Sequence, residues 1–414
     1  MLAGIEAQAQ EQVRKQVAAV AAHRQAHSAF SWFRQHEPEL RQLQLEVARI
    51  PAPPFGEQAR AQWVRERFLS TGLHDVRIDA AGNVLGIRPG AAPGGRLVAL
   101  SAHIDTVFPP GTSTAGVRFE NDRLYGPGIS DNAAGITALL GIAEAMEAAG
   151  LRTRAPLLFV GNVGEEGEGD LRGMRHIFAD RSLREQIGAI LVLDGAGTDT
   201  VVTQALGSRR FEVSMRGPGG HSWSDFGIVN PILVLADAIH HFRSTPLPAT
   251  PKTTFNIGVI SGGTSVNSIP ETAVMRVDVR STAMEEIERL EHALRSAVAA
   301  ALGSASRHSN GEPLAITADI RMIGERPAAE LPAHSRLLAV VRAVDDHLGN
   351  FSRIHRASTD ANIPLSLGCD AVALGTGGTG GGAHTVQEWY DPKGRDLGLK
   401  RILLITAAMA GMAD

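Results

Sequence analysis

The spacing of apolar and polar residues changes along the chain and predicts its secondary structure. Residues 1 to about 75 show helical spacing, interrupted where adjacent prolines in IPAPPFGEQ forbid a continuous helix, so two or three helices are expected. From about residue 76, short β-branched runs bounded by glycine and proline alternate with helical segments. The runs LVALSAHI, APLLFVGNV and AILVLDG are nearly continuously apolar, which is typical of strands buried on both faces of a sheet.

This alternation predicts an α/β fold class for residues 1–207, with a mixed or parallel sheet flanked by helices. Residues 208–322 differ, because about four strands of alternating polarity and two helical segments follow one another there. We expect this region to form a smaller α+β domain inserted into the first. Residues 323–414 return to helix, strand and helix, so the α/β domain is expected to resume after the insertion.

Composition and charge exclude several classes of partner. The 414 residues include 40 Lys and Arg against 44 Asp and Glu, and no basic patch stands out, so nucleic acid is not an expected partner. No run reaches the roughly 18 apolar residues of a membrane-spanning helix, so no membrane partner is expected. The single cysteine, Cys369, excludes an intrachain disulfide and a cysteine-rich zinc site. The first residues lack the apolar core of a secretion signal, so a cytoplasmic location is expected, with earlier removal of such a signal left open.

Polar residues at the ends of apolar runs are the candidates for chemistry. His103 and Asp105 end one such run, and their spacing of two places both side chains on one face of a strand. This pair is either a metal-binding histidine with an orienting carboxylate or a polar strand end without a ligand. Asp131 follows a Gly-Pro-Gly turn, where it either caps the next helix or lies at the ligand-binding end of a sheet.

Glu165 and Glu166 are adjacent carboxylates that directly follow a buried run. They repel each other unless a positive charge lies between them, and a divalent metal would supply that charge. Because adjacent side chains diverge, one of them can bind a metal while the other serves as a general base. The alternative is a solvated acidic loop that also contains Glu168 and Asp170.

Asp194 and His384 complete the set, since each follows an apolar or glycine-rich run in the same way. Two histidines and three or more carboxylates at strand ends match the ligands of a hydrolytic dizinc or dimanganese site. The motifs HxD, GxxSDN, EEG, LDG and GGxAHT occur in this order between about residues 95 and 390. In this order they closely resemble those of the two-zinc aminopeptidase and deacylase family of peptidase T, aminoacylase, acetylornithine deacetylase and glutamate carboxypeptidase.

The resemblance implies a zinc-exopeptidase-like catalytic domain and an inserted domain that acts as a lid and forms a homodimer. It also implies two divalent metal ions per chain, zinc in the first place, with manganese or cobalt as alternatives. Asp131 would bridge both ions. The remaining implied ligands are His103 and Asp194 for one ion, and Glu166 and His384 for the other.

Further roles follow from the same resemblance. Asp105 would orient His103, and Glu165 would be the catalytic base. In the inserted domain, His221 would reach across the dimer to stabilise the developing oxyanion; Asn267 and Arg280 would bind polar and carboxylate groups of the substrate. For His221 and Arg280, a surface-turn histidine and a salt-bridged strand-end arginine remain the alternatives.

The expected substrate is a short peptide or an N-acyl amino acid. Deacylase branches often carry a lysine shortly after the bridging aspartate, where this chain reads Asn132, Ala133 and Ala134, and its glycine run before His384 is unusually long. Asp194 resembles peptidase T and aminoacylase alike, and the missing lysine then favours an exopeptidase, either an aminopeptidase or a di- or tripeptidase; the glycine run is a departure from the family pattern that favours neither. The alternatives are an N-acyl amino acid deacylase, a glutamate-type carboxypeptidase and, remotely, a non-catalytic binding protein.

Overall fold

The computed structural model describes residues 2–92, 94–307 and 315–413. Its helices are α1 (Leu2–Ala22), α2 (Arg24–Gln35), α3 (Glu37–Ala48), α4 (Gln58–Ser70), α5 (Ala133–Ala148), α6 (Arg172–Ala179), α7 (Arg181–Gln186), α8 (Pro231–Arg243), α9 (Met284–Arg307), α10 (Arg336–Leu348), α11 (Asn362–Ser366) and α12 (Arg395–Ala410). A short 3₁₀ turn spans Gly167–Gly169.

The strands are β1 (His74–Ile78), β2 (Val84–Arg88), β3 (Leu97–His103), β4 (Arg118–Glu120), β5 (Arg123–Tyr125), β6 (Leu157–Asn162), β7 (Ile187–Leu193), β8 (Thr200–Ala205), β9 (Gly207–Arg216), β10 (Gly220–His221), β11 (Thr253–Gly262), β12 (Ser268–Ile269), β13 (Thr272–Ser281), β14 (Thr317–Arg326), β15 (Ala329–Glu330), β16 (Arg353–Ala357), β17 (Asp370–Leu374), β18 (Thr379–Gly381) and β19 (Trp389–Asp391). The chain divides into two compact units, one of Met1–Ala205 with Glu330–Asp414, the other of Leu206–Ala329.

The first unit is built on a mixed sheet with the strand order β1-β2-β6-β3-β7-β17-β8-β15, in which β16 also pairs with β8. The central neighbours β6, β3, β7 and β17 run parallel, whereas β2 and β8 join them antiparallel and β1 pairs antiparallel with β2. Every residue of β3 and β6 is buried, which explains why these strands read as unbroken apolar runs. The expected α/β fold class with a mixed sheet is confirmed.

The helices of this unit differ in one respect from the expectation. Four helices, rather than two or three, precede β1, because the chain also breaks at His23 and at His36. The second break precedes Pro38, which is favourable in a first helical turn and not in a helix interior. The helix α5 is buried on nearly all sides, as its apolar composition requires.

A second, smaller sheet of the first unit brings together two loops that are distant in sequence. Its strand order is β18-β19-β5-β4, and all pairs are antiparallel. The strand β5 leads towards Asp131 and α5, while β18 and β19 flank His384. Pairing of β19 with β5, through Trp389 beside Tyr125, therefore places these two loops side by side.

The second unit has an antiparallel sheet with the order β11-β13-β9-β14 and the helices α8 and α9. Its core contains Phe211, Phe242, Met275 and Leu290. A two-stranded ribbon, β10 with β12, lies outside the sheet order. The strand β11 forms one edge of the sheet, and the side chains of its outer half are exposed.

The junctions between the units fall at 205/206 and 329/330, two residues before and seven residues after the positions expected from the sequence. The later junction moves because β14 stays paired with β9 as far as Arg326. No helix in the described parts of the chain is both long and apolar enough to cross a bilayer.

Candidate metal centre

Candidate ligands lie at the carboxyl ends of three neighbouring parallel strands of the main sheet. His103 is the last residue of β3, Glu165 and Glu166 follow β6, and Asp194 follows β7. Since β3 lies between β6 and β7 and parallel to both, their carboxyl ends meet at the same edge. Asp131 and His384 reach this edge from the loops joined by the smaller sheet.

Asp131 lies between the two histidines. Its Oδ1 is 3.1 Å from His103 Nε2, and its Oδ2 is 3.3 Å from His384 Nε2. His103 Nε2 is also 3.8 Å from Asp194 Oδ1, and His384 Nε2 is 3.4 Å from Glu166 Oε1. The result is two groups that share one carboxylate, namely His103, Asp131 and Asp194, and Asp131, Glu166 and His384.

The geometry of these groups fits divalent cations. Within each group the ligand atoms lie within 4.8 Å of one another. The Nδ1 atom of His103 lies 3.1 Å from the backbone oxygen of Asp105, which accepts hydrogen bonds only, so Nδ1 carries the proton. In the neutral ring, the lone pair of Nε2 then faces the carboxylates, and a cation bound by these residues would satisfy both partners. Imidazole nitrogens with carboxylate oxygens are the ligands of hydrolytic zinc sites.

Asp105 contacts the residues that carry three of the candidate groups, namely His103, Glu165 and Glu166. Its fully buried carboxylate accepts the backbone N–H groups of Glu165 at 3.0 Å and of Glu166 at 2.8 Å. Its Oδ1 also lies 3.6 Å from His103 Nδ1. Asp105 therefore holds the acidic pair after β6 through its carboxylate and the ring of His103 through its backbone oxygen.

The pKa values show how much negative charge is concentrated here. Burial, followed by repulsion from Glu165, raises the pKa of Glu166 to about 8. The hydrogen bond to Asp131 raises the pKa of His384 to about 9. Burial alone would lower the pKa of His103, but hydrogen bonds to three carboxylates outweigh it and raise that pKa well above its usual value. In the absence of a metal ion, Glu166, His384 and His103 therefore bind protons, and these protons offset the negative charge of the site.

The structure shows that Asp131 does not cap α5. The N-cap of α5 is Asn132, whose Oδ1 accepts the N–H of Gly135 at 3.0 Å. Asn132 also donates to the carbonyl oxygen of Leu193 at 2.9 Å and accepts the N–H of Gly195 at 3.2 Å. It thus holds the backbone on both sides of Asp194, and the Asp131 carboxylate faces the histidines instead of capping the helix.

Two buried carboxyl groups near the site, those of Asp360 and Glu388, are not indicated by any sequence pattern. Asp360 is fully buried and accepts a hydrogen bond from Asn162 Nδ2 at 2.6 Å. Burial, followed by the charge of Glu165, raises its pKa well above the usual value. Glu388 is also fully buried and contacts the loop before Asp131. Neither follows an apolar run that would have distinguished it from other acidic residues; Asp360 lies in STDAN and Glu388 in VQEWYD.

The expected substrate residues all belong to the second unit. His221 is exposed, and its Nδ1 accepts the backbone N–H groups of Trp223 and Ser224 at 3.2 and 3.3 Å. Asn267 lies beside it, because its carbonyl oxygen accepts the N–H of Ser222 at 3.0 Å. Arg280 lies in β13 and forms a 2.6 Å ion pair with Asp278. The salt bridge considered for Arg280 is thus present.

The sequence model of peptidase family M20/M25/M40 matches residues 99–408, which include the five candidate ligands. The chain belongs to this family. The resemblance inferred from the motifs is therefore confirmed.

Individual members of the M20 family show the same relationship. Carboxypeptidase G2 from a Pseudomonas species is 25% identical over 240 residues, which cover 56% of this chain and 57% of that protein. The chain thus matches little more than half the length of this relative. The aminopeptidase PepT from Bacillus cereus shares the fold with a TM-score of 0.71 and 19% identity, covering 90% of this chain and 98% of that one.

The YXEP protein of Bacillus subtilis, described as a dinuclear metal-binding peptidase of the M20 family, also shares the fold. Its TM-score is 0.64 at 13% identity, and the match covers 91% of this chain and 99% of that one. The mixed sheet and the inserted unit are therefore features of a known fold.

Proposed function

We propose that this M20 family member is a metal-dependent exopeptidase that cleaves amide bonds of short peptides. The observation that carries this proposal is the pair of ligand groups that share Asp131. Such a pair would hold two cations at the carboxyl ends of strands, where open α/β sheets bind their ligands. The description of the Bacillus subtilis relative as dinuclear supports two ions rather than one.

Zinc is the proposed metal, with manganese or cobalt as alternatives. Two imidazoles and three carboxylates suit zinc and also suit the other two ions, so the donor set alone selects a class of metal. When bound, the two ions would supply Lewis acidity towards the amide carbonyl and the attacking water.

The residues around the ions have distinct proposed roles. Glu165 takes the proton of the attacking water and delivers it to the leaving amine. Asp105 keeps Glu165 in place through the backbone hydrogen bond described above and keeps the Nε2 atom of His103 directed at the ions. His221 donates a hydrogen bond to the developing negative charge on the carbonyl oxygen. This donation is chemically available, because its Nδ1 accepts two backbone N–H groups and the proton of the neutral ring therefore lies on Nε2.

The proposed substrate is a peptide with a free amino terminus. The fold shared with PepT, Asp194, and the absence of a lysine shortly after Asp131 support this choice. A glutamate-type carboxypeptidase is the second candidate, because carboxypeptidase G2 is a detectable relative in sequence. An N-acyl amino acid deacylase is the third. In each case Arg280 and Asn267 are proposed to hold the far carboxylate and polar groups of the substrate.

A panel of matched substrates separates these activities. We expect the protein loaded with zinc to cleave alanyl-alanine and trialanine, and N-acetylation of either peptide should abolish cleavage of the first bond. C-terminal amidation should raise KM, because the guanidinium of Arg280 then loses a carboxylate partner. Cleavage of N-acetylated dipeptides would indicate the carboxypeptidase instead. Faster hydrolysis of N-acetylalanine than of any free peptide would indicate the deacylase.

We further propose a homodimer formed through the second unit. The strand β11 lies at a sheet edge, and its Val259 and Ile260 are exposed, which is the arrangement that pairs with a second strand. Ile260→Lys should give a monomer in sedimentation experiments. Phe351→Lys, a matched change at an exposed apolar residue of the first unit, should leave the dimer intact. The proposed location is the cytoplasm, which cell fractionation tests.

A further inference from the structure

Glu388 makes an unusual set of contacts for an acidic residue. Its side chain is fully buried. The Oε1 atom accepts the backbone N–H of Ser130 at 2.9 Å and of Asp131 at 2.7 Å, and Oε2 accepts the N–H of Gly128 at 2.7 Å. The backbone oxygen of Glu388 also accepts the N–H of Gly126 at 3.0 Å. One residue thus binds four N–H groups of a single turn.

This turn ends at the shared ligand. Gly126 to Asp131 connect β5 to the start of α5, and Asp131 is the only residue of that turn with a side chain in either ligand group among the described residues. Hydrogen bonds from N–H groups to a carboxylate are shorter and stronger than those to a neutral acceptor. The three bonds to the Glu388 side chain therefore restrict the backbone from which the Asp131 carboxylate projects.

The same segment also carries a ligand of its own. Gly382 to Glu388 form a compact loop, in which the N–H of Thr385 donates to Gly382 O at 3.0 Å and the N–H of Glu388 donates to Thr385 O at 3.2 Å. His384 in this loop lies 3.3 Å from the Asp131 carboxylate, and Glu388 accepts the backbone N–H of Asp131. A shift of the Asp131 turn would change both distances together.

We propose that Glu388 is a positioning residue that holds Asp131 so that its Oδ1 faces His103 and its Oδ2 faces His384, the arrangement in which Asp131 would serve both ligand groups. This inference rests on the proposed dinuclear function and extends it to a residue outside the ligand set. Glu388 does not contact the reacting groups in this role. It acts through Asp131, so its removal should weaken both metal sites rather than one.

The chemistry of the site requires a carboxylate at this position. Three N–H donors converge on two oxygens, whereas a glutamine offers one oxygen and one NH₂ group. The oxygen of a glutamine can still accept the N–H groups of Ser130 and Asp131. Its NH₂ group then faces the N–H of Gly128, and because both groups are donors, this third hydrogen bond is lost. Alanine loses all three. Glu388→Gln and Glu388→Ala therefore form a graded series.

The test measures metal affinity by competition with a chromophoric chelator, using the full chain. Loss of a group that supports a metal ligand typically weakens metal binding about 10-fold to 100-fold. We expect about 10-fold weaker binding for Glu388→Gln and about 100-fold for Glu388→Ala, in both metal equivalents. Partial rescue by glutamine is the signature of hydrogen bonding to the turn. If Glu388→Ala does not fold, the glutamine variant still provides the measurement.

Asp345→Asn is the matched control. Asp345 is a buried carboxylate that binds Arg401 through two hydrogen bonds of 2.6 and 2.8 Å and belongs to neither ligand group. It should lower the melting temperature and leave metal affinity unchanged. Equal loss of metal in Asp345→Asn, or unchanged affinity in Glu388→Ala, would overturn the role of Glu388. Fewer than two equivalents in the unmodified protein would instead refute the dinuclear function.

Discussion

The two adjacent glutamates offer the sharpest test of the proposed chemistry, because the same substitution should remove a metal ion at Glu166 and the catalytic base at Glu165. Glu165→Gln and Glu166→Gln each replace an ionisable carboxyl group by a neutral amide of the same size. Both residues are almost fully buried, and Asp105 binds both backbones. Differences between the variants therefore report on the function of each side chain and not on its location.

The expected magnitudes follow from the ligand groups. Glu166 belongs to one group, where its Oε1 lies 3.4 Å from His384 Nε2, whereas Glu165 belongs to neither group found among the described residues. Two unit charges about 4 Å apart interact by about 4 kcal/mol at an effective dielectric constant of about 20. A divalent ion bound by Glu166 would be attracted at least this strongly, because its charge is twice as large. Loss of that interaction corresponds to about 10³-fold in binding, so Glu166→Gln should lose one metal equivalent on dialysis. Glu165→Gln should keep both.

Glu165→Gln should lose activity even though it keeps both metals. Removal of a general base typically costs about 10²-fold to 10⁴-fold in rate, so Glu165→Gln should lose at least about 10²-fold in kcat with its metals in place. Elemental analysis after dialysis and peptide hydrolysis with saturating zinc are the two assays. Equal metal loss in both variants, or an active Glu165→Gln enzyme, would refute the assignment of the pair.

Three further predictions concern the same centre. Asp131→Ala should lose both metals, because both groups contain Asp131, and retention of two equivalents after dialysis would contradict the shared ligand. Metal binding at pH 7 should release protons, because Glu166 and His384, with pKa values of about 8 and 9, are mostly protonated without a cation; affinity should therefore rise with pH up to about 9, which titration calorimetry in buffers of different ionisation enthalpy measures. Mixing inactive Glu165→Gln with inactive His221→Ala under subunit exchange should restore activity if His221 serves the partner's site, and no recovery would assign it to its own subunit or to no catalytic role.

The sequence predicted those site residues that follow long apolar runs. His103, Glu166 and Asp194 were recognisable because the ends of buried parallel strands meet at one edge of a sheet. Asp131 and His384 were candidates because they follow a Gly-Pro-Gly turn and a glycine run, and the family resemblance added the distribution of the five residues between two ions. These five remain predictions as ligands, and the geometry described above is what supports them.

The supporting residues could not be predicted, because their partners are distant in the chain. Glu388 binds the N–H of Asp131, 257 positions earlier, and Asp360 binds Asn162, 198 positions earlier. A local pattern contains no information about such pairs. Asn132 was overlooked for a different reason: Asp131 was an equally good cap for α5, and only the structure shows which residue accepts the N–H of Gly135.

The position of β17 has a consequence for biosynthesis. This strand lies between β7 and β8 in the main sheet, yet it is translated after the whole second unit. During synthesis from the amino terminus, the edges of β7 and β8 that face β17 stay unpaired until β17 has been translated. Unpaired strand edges are prone to pair with other chains. His384 and Glu388 emerge later still. Both ligand groups are thus complete only after His384 has been translated, so metal binding would stabilise chains that already contain this residue and not the shorter intermediates that precede them.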